Sequence, residues 1–193
     1  MTMVYDPQND SMLQKIKNQG YTRVELMKIR ENIIRHLKES PSDERGLARL
    51  EAIENTELLP AESQYVFMGF CPGATLENRQ DTEWLEKGIC KFDFVQSEHQ
   101  LRRFLDIMPG DIVILKKREE FGKTMRIFAH GQVKAAKTSR INLPYLEMDW
   151  EKPKEFLEVP LLGCNSTVDV RSLERVESEM PPEFWEWLRR DVD

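Results

Sequence analysis

One stretch of the chain, residues 82–150, constrains the fold more than any other, because short strand-forming segments there alternate with tight turns. The tetrapeptide Met108-Pro109-Gly110-Asp111 is a strong turn signal, since proline fixes φ and glycine supplies the left-handed position. The apolar run after it predicts a strand at 112–117, and a basic loop then leads into a strand at 124–134. Short strands joined by tight turns and edged by aromatic residues are typical of a small β-barrel.

Strands and helices are also predicted on both sides of these two strands. The further strands are short and rich in β-branched or aromatic residues: 65–70, 145–150, 157–161 and 166–170. The interposed helices fall at 79–88 and 97–107, where Ser97 is the N-cap, and a last helix starts at the Pro181-Pro182 pair. We therefore expect an α+β domain over 59–193, a small pseudo-β-barrel with interposed helices and a C-terminal helix.

The first part of the chain has a different texture, with apolar residues at helical spacing over 11–58 and no strand signal. Thr22 and Glu25 have the spacing of a capping box and predict the start of a helix. A further helix is expected to end at about Asn55. We predict a helical appendage over residues 1–58, in which the polar residues 1–10 are disordered. Its apolar stripe must pack on something.

Charge is distributed unevenly along the chain, whose formal net charge is −6. Residues 113–140 contain eight cations and two glutamates, a local net charge of +6. Residues 141–193 contain thirteen acids and six bases, a local net charge of −7. A concentrated basic segment is the electrostatic footprint of a nucleic-acid-binding surface. The alternative is that the basic and acidic segments pair with one another on the folded surface.

Seven cations form the candidate phosphate-binding set. Five of them surround the loop between the two central strands, and two lie on the preceding helix. Such a group holds phosphates through contacts that weaken as salt rises. The alternative is a solvated edge hairpin, whose lysines discourage strand pairing. The seven residues are Arg102, Arg103, Lys116, Lys117, Arg118, Lys123 and Arg126.

Large aromatic residues recur at predicted strand ends and in loops near strands. A base flipped out of a duplex needs flat apolar walls and a few hydrogen-bond partners, and stacking contributes about 1–3 kcal/mol per base. The alternative is that these rings belong to the hydrophobic core, where Phe67, Phe104 and Ile127 are assigned. The candidate rings are Trp84, Phe92, Phe94, Tyr145, Trp150 and Phe156.

The motifs of common enzymes are missing from the sequence. Residues 131–138 mimic a phosphate-binding P-loop, but Ala136 stands where its second glycine belongs. No lysine has an Asp or Glu two residues before it, so the carboxylate-x-lysine motif of many nucleases is absent. The three histidines are scattered, although spacing alone leaves a Cys–His nucleophile pair open. We expect a protein without catalytic residues, cofactor or metal.

Location is predicted from two further features. No apolar run reaches the ~18 residues that span a bilayer, and residues 1–10 lack the basic and apolar regions of a secretory signal. The cysteines, Cys71, Cys90 and Cys164, are odd in number and widely spaced, which does not suit a disulfide framework. We expect a cytoplasmic protein with reduced thiols that does not contact a membrane.

Four phrases in this order resemble the EVE-type, PUA-like domain, in the form found at the N-terminus of McrB-like restriction ATPases. They are WLEKGI at 84–89, PGDIVILK at 109–116, MRIFAHGQV at 125–133 and LEMDW at 146–150. The resemblance covers roughly residues 65–170, and residues 1–58 take no part. The positions that match are Trp84, Gly88, Gly110, Asp111, Lys116, Gly131 and Trp150. Cys90 departs from the pattern, since that group tends to carry tryptophan there.

The resemblance implies a pseudo-barrel that binds nucleic acid, often by accepting a flipped, modified base in an aromatic cage, within a restriction or defence-type system. DNA is favoured over RNA, a separate ATPase or nuclease chain is a possible partner, and the helical appendage is a possible homodimer contact. The alternative is a protein-interaction or regulatory domain of the same fold that has lost the base pocket. The implied base-binding set is Trp84, Cys90, Phe92, Phe94 and Trp150.

Overall fold

The computed structural model describes residues 5–72, 76–92, 97–119, 122–137, 144–152 and 155–189. Within these residues the chain is α+β, with seven α-helices and one mixed seven-stranded sheet. The α+β class predicted from the sequence is confirmed. The sheet is not closed, however, because its hydrogen-bonded order runs from one edge strand to another without joining them. The expectation of a closed barrel is therefore wrong for the part of the chain that is described.

The elements follow the predicted order closely. The helices are α1 Ser11–Lys17, α2 Arg23–Glu39, α3 Glu44–Asn55, α4 Asp81–Lys87, α5 Glu98–Leu105, α6 Leu173–Glu179 and α7 Pro182–Arg189. The strands are β1 Gln64–Gly69, β2 Ile89–Lys91, β3 Ile112–Arg118, β4 Thr124–Lys137, β5 Tyr145–Glu151, β6 Leu157–Pro160 and β7 Val168–Ser172. Two elements were not predicted: the three-residue strand β2 and helix α6.

The long strand β4 organises the sheet, whose order is β2-β5-β4-β3-β1-β7. One edge of β4 pairs with β3, while its other edge pairs with β6 near its start and with β5 near its end. β1 and β3 are parallel, whereas the other pairs are antiparallel. The register shifts between Leu115 and Lys116 and again between Val133 and Ala135. Such bulges increase local twist and bend the sheet.

Each face of the sheet covers a separate hydrophobic core. Val113 and Leu115 of β3 point into a core that also contains Trp84 and Phe104. Ile114, between them in sequence, points to the opposite face and the second core, which helices α6 and α7 cover. This division follows from the alternation of side chains along a strand. The face that a residue occupies therefore decides which surface it can reach at the end of the sheet.

The three N-terminal helices have a hydrophobic cluster of their own, and the predicted capping box of Thr22 and Glu25 is present. Helix α3 ends at Asn55, as predicted. Disorder over 1–10 is wrong for residues 5–10, while residues 1–4 lie outside the described residues. Asp10 caps α1 by accepting from the Leu13 amide at 3.1 Å, and it forms an ion pair with Arg49 at 2.8 Å. Two such contacts offset the entropy cost of ordering this segment.

The helical appendage is joined to the sheet through the Pro-Gly-Asp turn. The Leu58 amide donates to the Pro109 carbonyl at 2.9 Å, and Met108 packs within the helical cluster. Gly110 has φ +95°, and a Cβ there would come within 3.1 Å of the Leu58 nitrogen. Only glycine combines that backbone conformation with so close an approach.

No helix in the described segments is long and apolar enough to cross a lipid bilayer.

His130 makes folding stability depend on pH. Burial lowers its pKa from 6.5 to about 4, against a smaller opposing effect of a hydrogen bond to the Trp187 backbone. Because the folded-state pKa is depressed, the unfolded chain takes up a proton that the folded chain refuses as pH falls from about 6.5 to 4. Because of His130, the parent protein should lose about 2–3 kcal/mol of unfolding free energy across this interval. We expect His130→Phe to abolish that part of the loss.

Urea unfolding at several pH values between about 7 and 4 measures this effect. The Glu151 carboxylate lies 3.7 Å from the His130 imidazole, but it is 52% exposed, so solvent screens this ion pair. The Asp10 carboxyl has a pKa well below its usual range because of its hydrogen bond with Arg49, so its contribution is lost only at lower pH. Parallel stability curves for the two proteins would contradict the assignment to His130.

Candidate nucleic-acid interface

Three residues of the predicted base-binding set lie in the hydrophobic core. Trp84 and Cys90 are 0% exposed, and Phe92 is 4% exposed and stacks on Phe104 with ring centroids 5.5 Å apart. Trp84 belongs to a short helix that packs its apolar side against the sheet, so the largest ring of that helix is also its core contact. The expectation that these residues wall a base pocket is wrong in this structure. Phe94 lies outside the described residues.

Trp150 is half-buried and has a structural partner. Its indole N–H donates to the Ile89 carbonyl at 3.1 Å, which ties β2 to β5. Its ring lies against Gly131, where a Cβ would come within 2.7 Å of the ring atom Cε3. Gly131 is therefore required by the packing of this tryptophan, and the pair stabilises the β4–β5 contact. Trp150 packs against the same core as Trp84, which is closed to solvent at Trp84.

Lys116 was predicted to bind phosphate but is buried, with 4% of its side chain exposed. Its ammonium donates to the carbonyls of Cys164 at 2.5 Å and Ser166 at 2.6 Å, and to the Asp169 carboxylate at 3.1 Å. Burial lowers the pKa of Lys116, while Asp169 opposes that change. The alternation along β3 directs Lys116 into the protein and Lys117 to the other face. Lys116 is thus an internal structural cation.

The remaining cations of the set divide into two groups. Arg102 pairs with Glu98 on the exposed side of α5 at 3.0 Å, and Arg103 donates to the Val168 carbonyl at 3.0 Å. The other four stay on the β3–β4 hairpin and its loop. Two of these four, Arg118 and Lys123, are exposed and have no ion-pair partner among the described residues. The four hairpin residues are Lys117, Arg118, Lys123 and Arg126.

A cavity of about 730 Å³ lies beside this hairpin. It is formed where β1 and β3 end and where the chain passes through residues 165–167. Lys117 and Arg118 supply two cations to its wall beside the buried Lys116, Glu119 supplies an anion, and the fully buried Phe70 lies behind the wall. Glu119 lies between Lys117 and Arg126, at 3.3 Å and 3.5 Å from them, and keeps both side chains on the same side of the sheet.

Next to the cavity, rings and guanidinium groups pack on one another in a continuous group that we call the arginine–phenylalanine ladder. Arg79 lies 5.6 Å from the Phe70 ring centroid and 5.9 Å from that of Phe128. Phe128 meets Phe70 edge-on at 5.2 Å and Phe156 at 6.0 Å. Arg126 lies over the Phe156 ring at 4.8 Å. The ladder consists of Arg79, Phe70, Phe128, Phe156 and Arg126.

Only Arg126 and Phe156 of this ladder were named as candidates from the sequence. Arg126 and Phe128 alternate on one strand, which places both on one face, so period-two spacing of a cation and a ring was an available signal. Phe156 follows a proline-containing break, a position typical of exposure rather than of the core. Arg79 and Phe70 carried no such signal, because only the fold brings the end of β1 next to the segment before α4.

The electrostatics of this end of the sheet favour anions. Asp81 neutralises Arg79 through a bidentate ion pair, and Glu119 is shared by Lys117 and Arg126. Arg118 and Lys123 are exposed and add positive charge at this end of the sheet. Burial, reinforced by Asp81, raises the pKa of the Cys71 thiol in the cavity wall. That thiol stays protonated near neutral pH and is a poor nucleophile.

Comparison of the chain with models of protein families, with characterised proteins and with solved structures found no match. Within the described residues there is no group of three or more His, Cys, Asp or Glu side chains that could hold a metal ion. The cavity, the basic hairpin and the ladder are therefore the features of the molecule that bear on its function.

Proposed function

We propose that this chain is a non-enzymatic nucleic-acid-binding module of the PUA-like kind. The proposal is supported by one observation above the others: the cations of the β3–β4 hairpin and a group of aromatic rings meet beside a cavity of about 730 Å³. Cations hold phosphates, and rings offer stacking surfaces for bases. The resemblance of residues 65–170 to EVE-type domains agrees with this proposal.

The contact surface that we propose differs from the one predicted from the sequence. Recognition of a flipped, methylated base by Trp84, Cys90 and Phe92 is not retained, because all three are buried. The phosphate contacts are assigned to Lys117, Arg118, Lys123 and Arg126, whereas Lys116 is removed from that set. A place in a restriction or defence-type system depends on the sequence resemblance alone and remains part of the proposal.

Charge reversal of the cavity wall tests the proposal. We expect Lys117→Glu with Arg118→Glu to weaken binding of a fluorescein-labelled oligonucleotide at least about tenfold, and to reduce the slope of log K against log salt by about two. The slope changes because each phosphate contact that is lost releases about one counterion fewer. Fluorescence anisotropy across a salt series gives both the affinity and the slope.

Lys28→Glu with Lys38→Glu is the matched control, because both are exposed cations on α2, far along the chain from the hairpin. This double variant changes net charge by the same amount, and we expect it to leave the salt slope unaltered. Equal effects of the two variants would mean that binding follows overall charge. Absence of binding by the parent protein even at low salt would remove the proposed function.

The second candidate function is a protein-interaction or regulatory domain. It is favoured by the burial of the predicted cage residues and by a groove of about 500 Å³ on the helical appendage. Met12, Ile29 and Ile33 line this groove together with His36 and Arg45. A second copy of this chain, or a separate ATPase or nuclease chain, would bind in this groove. Oligonucleotide binding that is absent in a folded parent protein would leave this candidate in place.

A further inference from the structure

We infer that the arginine–phenylalanine ladder stacks on bases of an unpaired strand, so that the nucleic acid bound is single-stranded rather than duplex. This inference rests on the proposed function and specifies its ligand. It concerns a surface outside the aromatic cage that the sequence resemblance implied. The residue that carries the argument furthest is Phe156, which is 53% exposed although it is a large aromatic ring.

Phe156 is held in place in spite of its exposure. The Arg126 guanidinium lies over its ring at 4.8 Å, and the Phe128 ring packs beside it at 6.0 Å with the planes inclined by 39°. Phe128 in turn meets the buried Phe70 edge-on. A ring anchored in this way is preorganised, and a ligand that stacks on it does not have to order a mobile side chain. An isolated exposed aromatic residue would not have this support.

The ladder is continuous with the cationic wall of the cavity. Phe70, although buried, connects the two from behind, since it lies against the cavity and its ring contacts Phe128. Glu119 also connects them, because it pairs with Lys117 of the cavity and with Arg126 of the ladder. A strand whose phosphates lie along the hairpin cations would therefore pass its bases over the exposed ring of the ladder, Phe156. The phosphate and the base of a nucleotide would thus both contact this one surface.

Duplex nucleic acid cannot use this surface fully. In a duplex each base is stacked between its neighbours, so its face is not available to a protein ring without the cost of flipping. An unpaired strand presents every base face and can stack on Phe156 and on guanidinium planes. Because all four bases have such a face, the ladder should bind with little sequence preference.

Fluorescence anisotropy with mixed-sequence oligonucleotides of about 16 nucleotides, near the upper site size of small single-strand-binding domains, tests the inference. The probes are single-stranded DNA, single-stranded RNA of the same sequence, and the DNA duplex. We expect at least about fivefold tighter binding of a single strand than of the duplex. We also expect Phe156→Ala to weaken single-strand binding about 5- to 100-fold, with little effect on the duplex.

Two further variants separate stacking from general loss of apolar surface. Phe156→Tyr keeps an aromatic ring and should retain affinity, whereas Phe156→Leu keeps apolar bulk and should bind like the alanine variant. Val24→Ala removes an exposed apolar side chain from α2 and should change nothing. Unchanged thermal unfolding of the Phe156 variants shows that they are folded, as expected for an exposed side chain.

The outcomes are distinguishable. Duplex binding that equals or exceeds single-strand binding, or an unaffected Phe156→Ala variant, would overturn the inference while the proposed function stands if Lys117 and Arg118 still matter. Failure of every probe to bind would overturn both. The DNA and RNA arms decide which strand is preferred, because the ladder itself reads only the base face.

Discussion

Replacing Lys116 with alanine is expected to lower the free energy of unfolding by about 3–5 kcal/mol, the usual cost of leaving a buried charge without its partner. The Asp169 carboxylate and the carbonyls of Cys164 and Ser166 all accept hydrogen bonds from the Lys116 ammonium. Its removal takes a donor from all three acceptors, of which Asp169 keeps two others, the Ser166 amide at 2.8 Å and Arg103 at 3.3 Å.

Urea unfolding measures this loss, and Lys117→Ala is the matched control one position along the strand. Lys117 is only half-buried and its ion pair with Glu119 faces the cavity, so we expect a change of less than about 1 kcal/mol. The two variants should therefore separate cleanly. Lys116→Ala costs stability, whereas Lys117→Ala costs oligonucleotide affinity.

Apolar replacement of the pair refines the test. Lys116→Met combined with Asp169→Leu removes both charges together and should recover part of the stability that Lys116→Ala loses, since the desolvation cost of both ions disappears. A Lys116→Ala variant that unfolds within 1 kcal/mol of the parent protein would show that solvent reaches the site and that Lys116 is not structural.

The contrast between Lys116 and Lys117 shows which features of this fold can be predicted from the sequence. The strand at 112–117 and the basic hairpin were predicted, because apolar runs and turn residues act locally. The face of the sheet that each lysine occupies was not predicted. Only contacts with distant residues show which face is buried, and the bulge at Leu115 changes the alternation of side chains along the strand. The buried partners of Lys116 lie about 50 residues further along the chain.

Trp84 was predicted to stack on a base but lies in the core, for a related reason. A large ring on a short helix satisfies the requirements of a base-stacking surface and of a core equally well, and only the packing of α4 against the sheet decides between them. Local signals were reliable by comparison. The capping box at Thr22, the N-cap at Ser97 and the end of α3 at Asn55 are present as expected. Each depends on contacts within a few residues.

One contact between the helical appendage and the sheet has no local signal in the sequence. Arg23 and Asp111 are 88 residues apart, yet their side chains form a bidentate ion pair with distances of 2.6 and 2.8 Å. The Asp111 side chain is 0% exposed and that of Arg23 is 8% exposed. Asp111 also accepts from the backbone amides of Gln64 and Met108, each at 2.9 Å. One carboxylate thus joins α2, β1 and the turn that begins β3.

Asp111→Ala is accordingly expected to cost about 3–5 kcal/mol of unfolding free energy, because it removes the carboxylate partner of the buried Arg23 guanidinium and the acceptor of two backbone amides. The Asp106 carbonyl still accepts from Arg23 at 2.8 Å. Asp111→Asn keeps the shape and one acceptor oxygen, so its cost should be smaller. Urea denaturation gives both values, and Glu98→Ala is the control, since it breaks the exposed pair with Arg102 and should stay within about 0.5 kcal/mol.

The form of the unfolding curve carries the second half of this prediction. If the Asp111 carboxylate is what makes the appendage and the sheet unfold together, the alanine variant should lose the single transition and expose the helices at lower urea than the strands. Hydrogen exchange would then show α2 amides opening before those of β3. A single transition displaced by less than 1 kcal/mol would instead assign the coupling to the apolar contacts around Met108 and Leu58, which the substitution leaves in place.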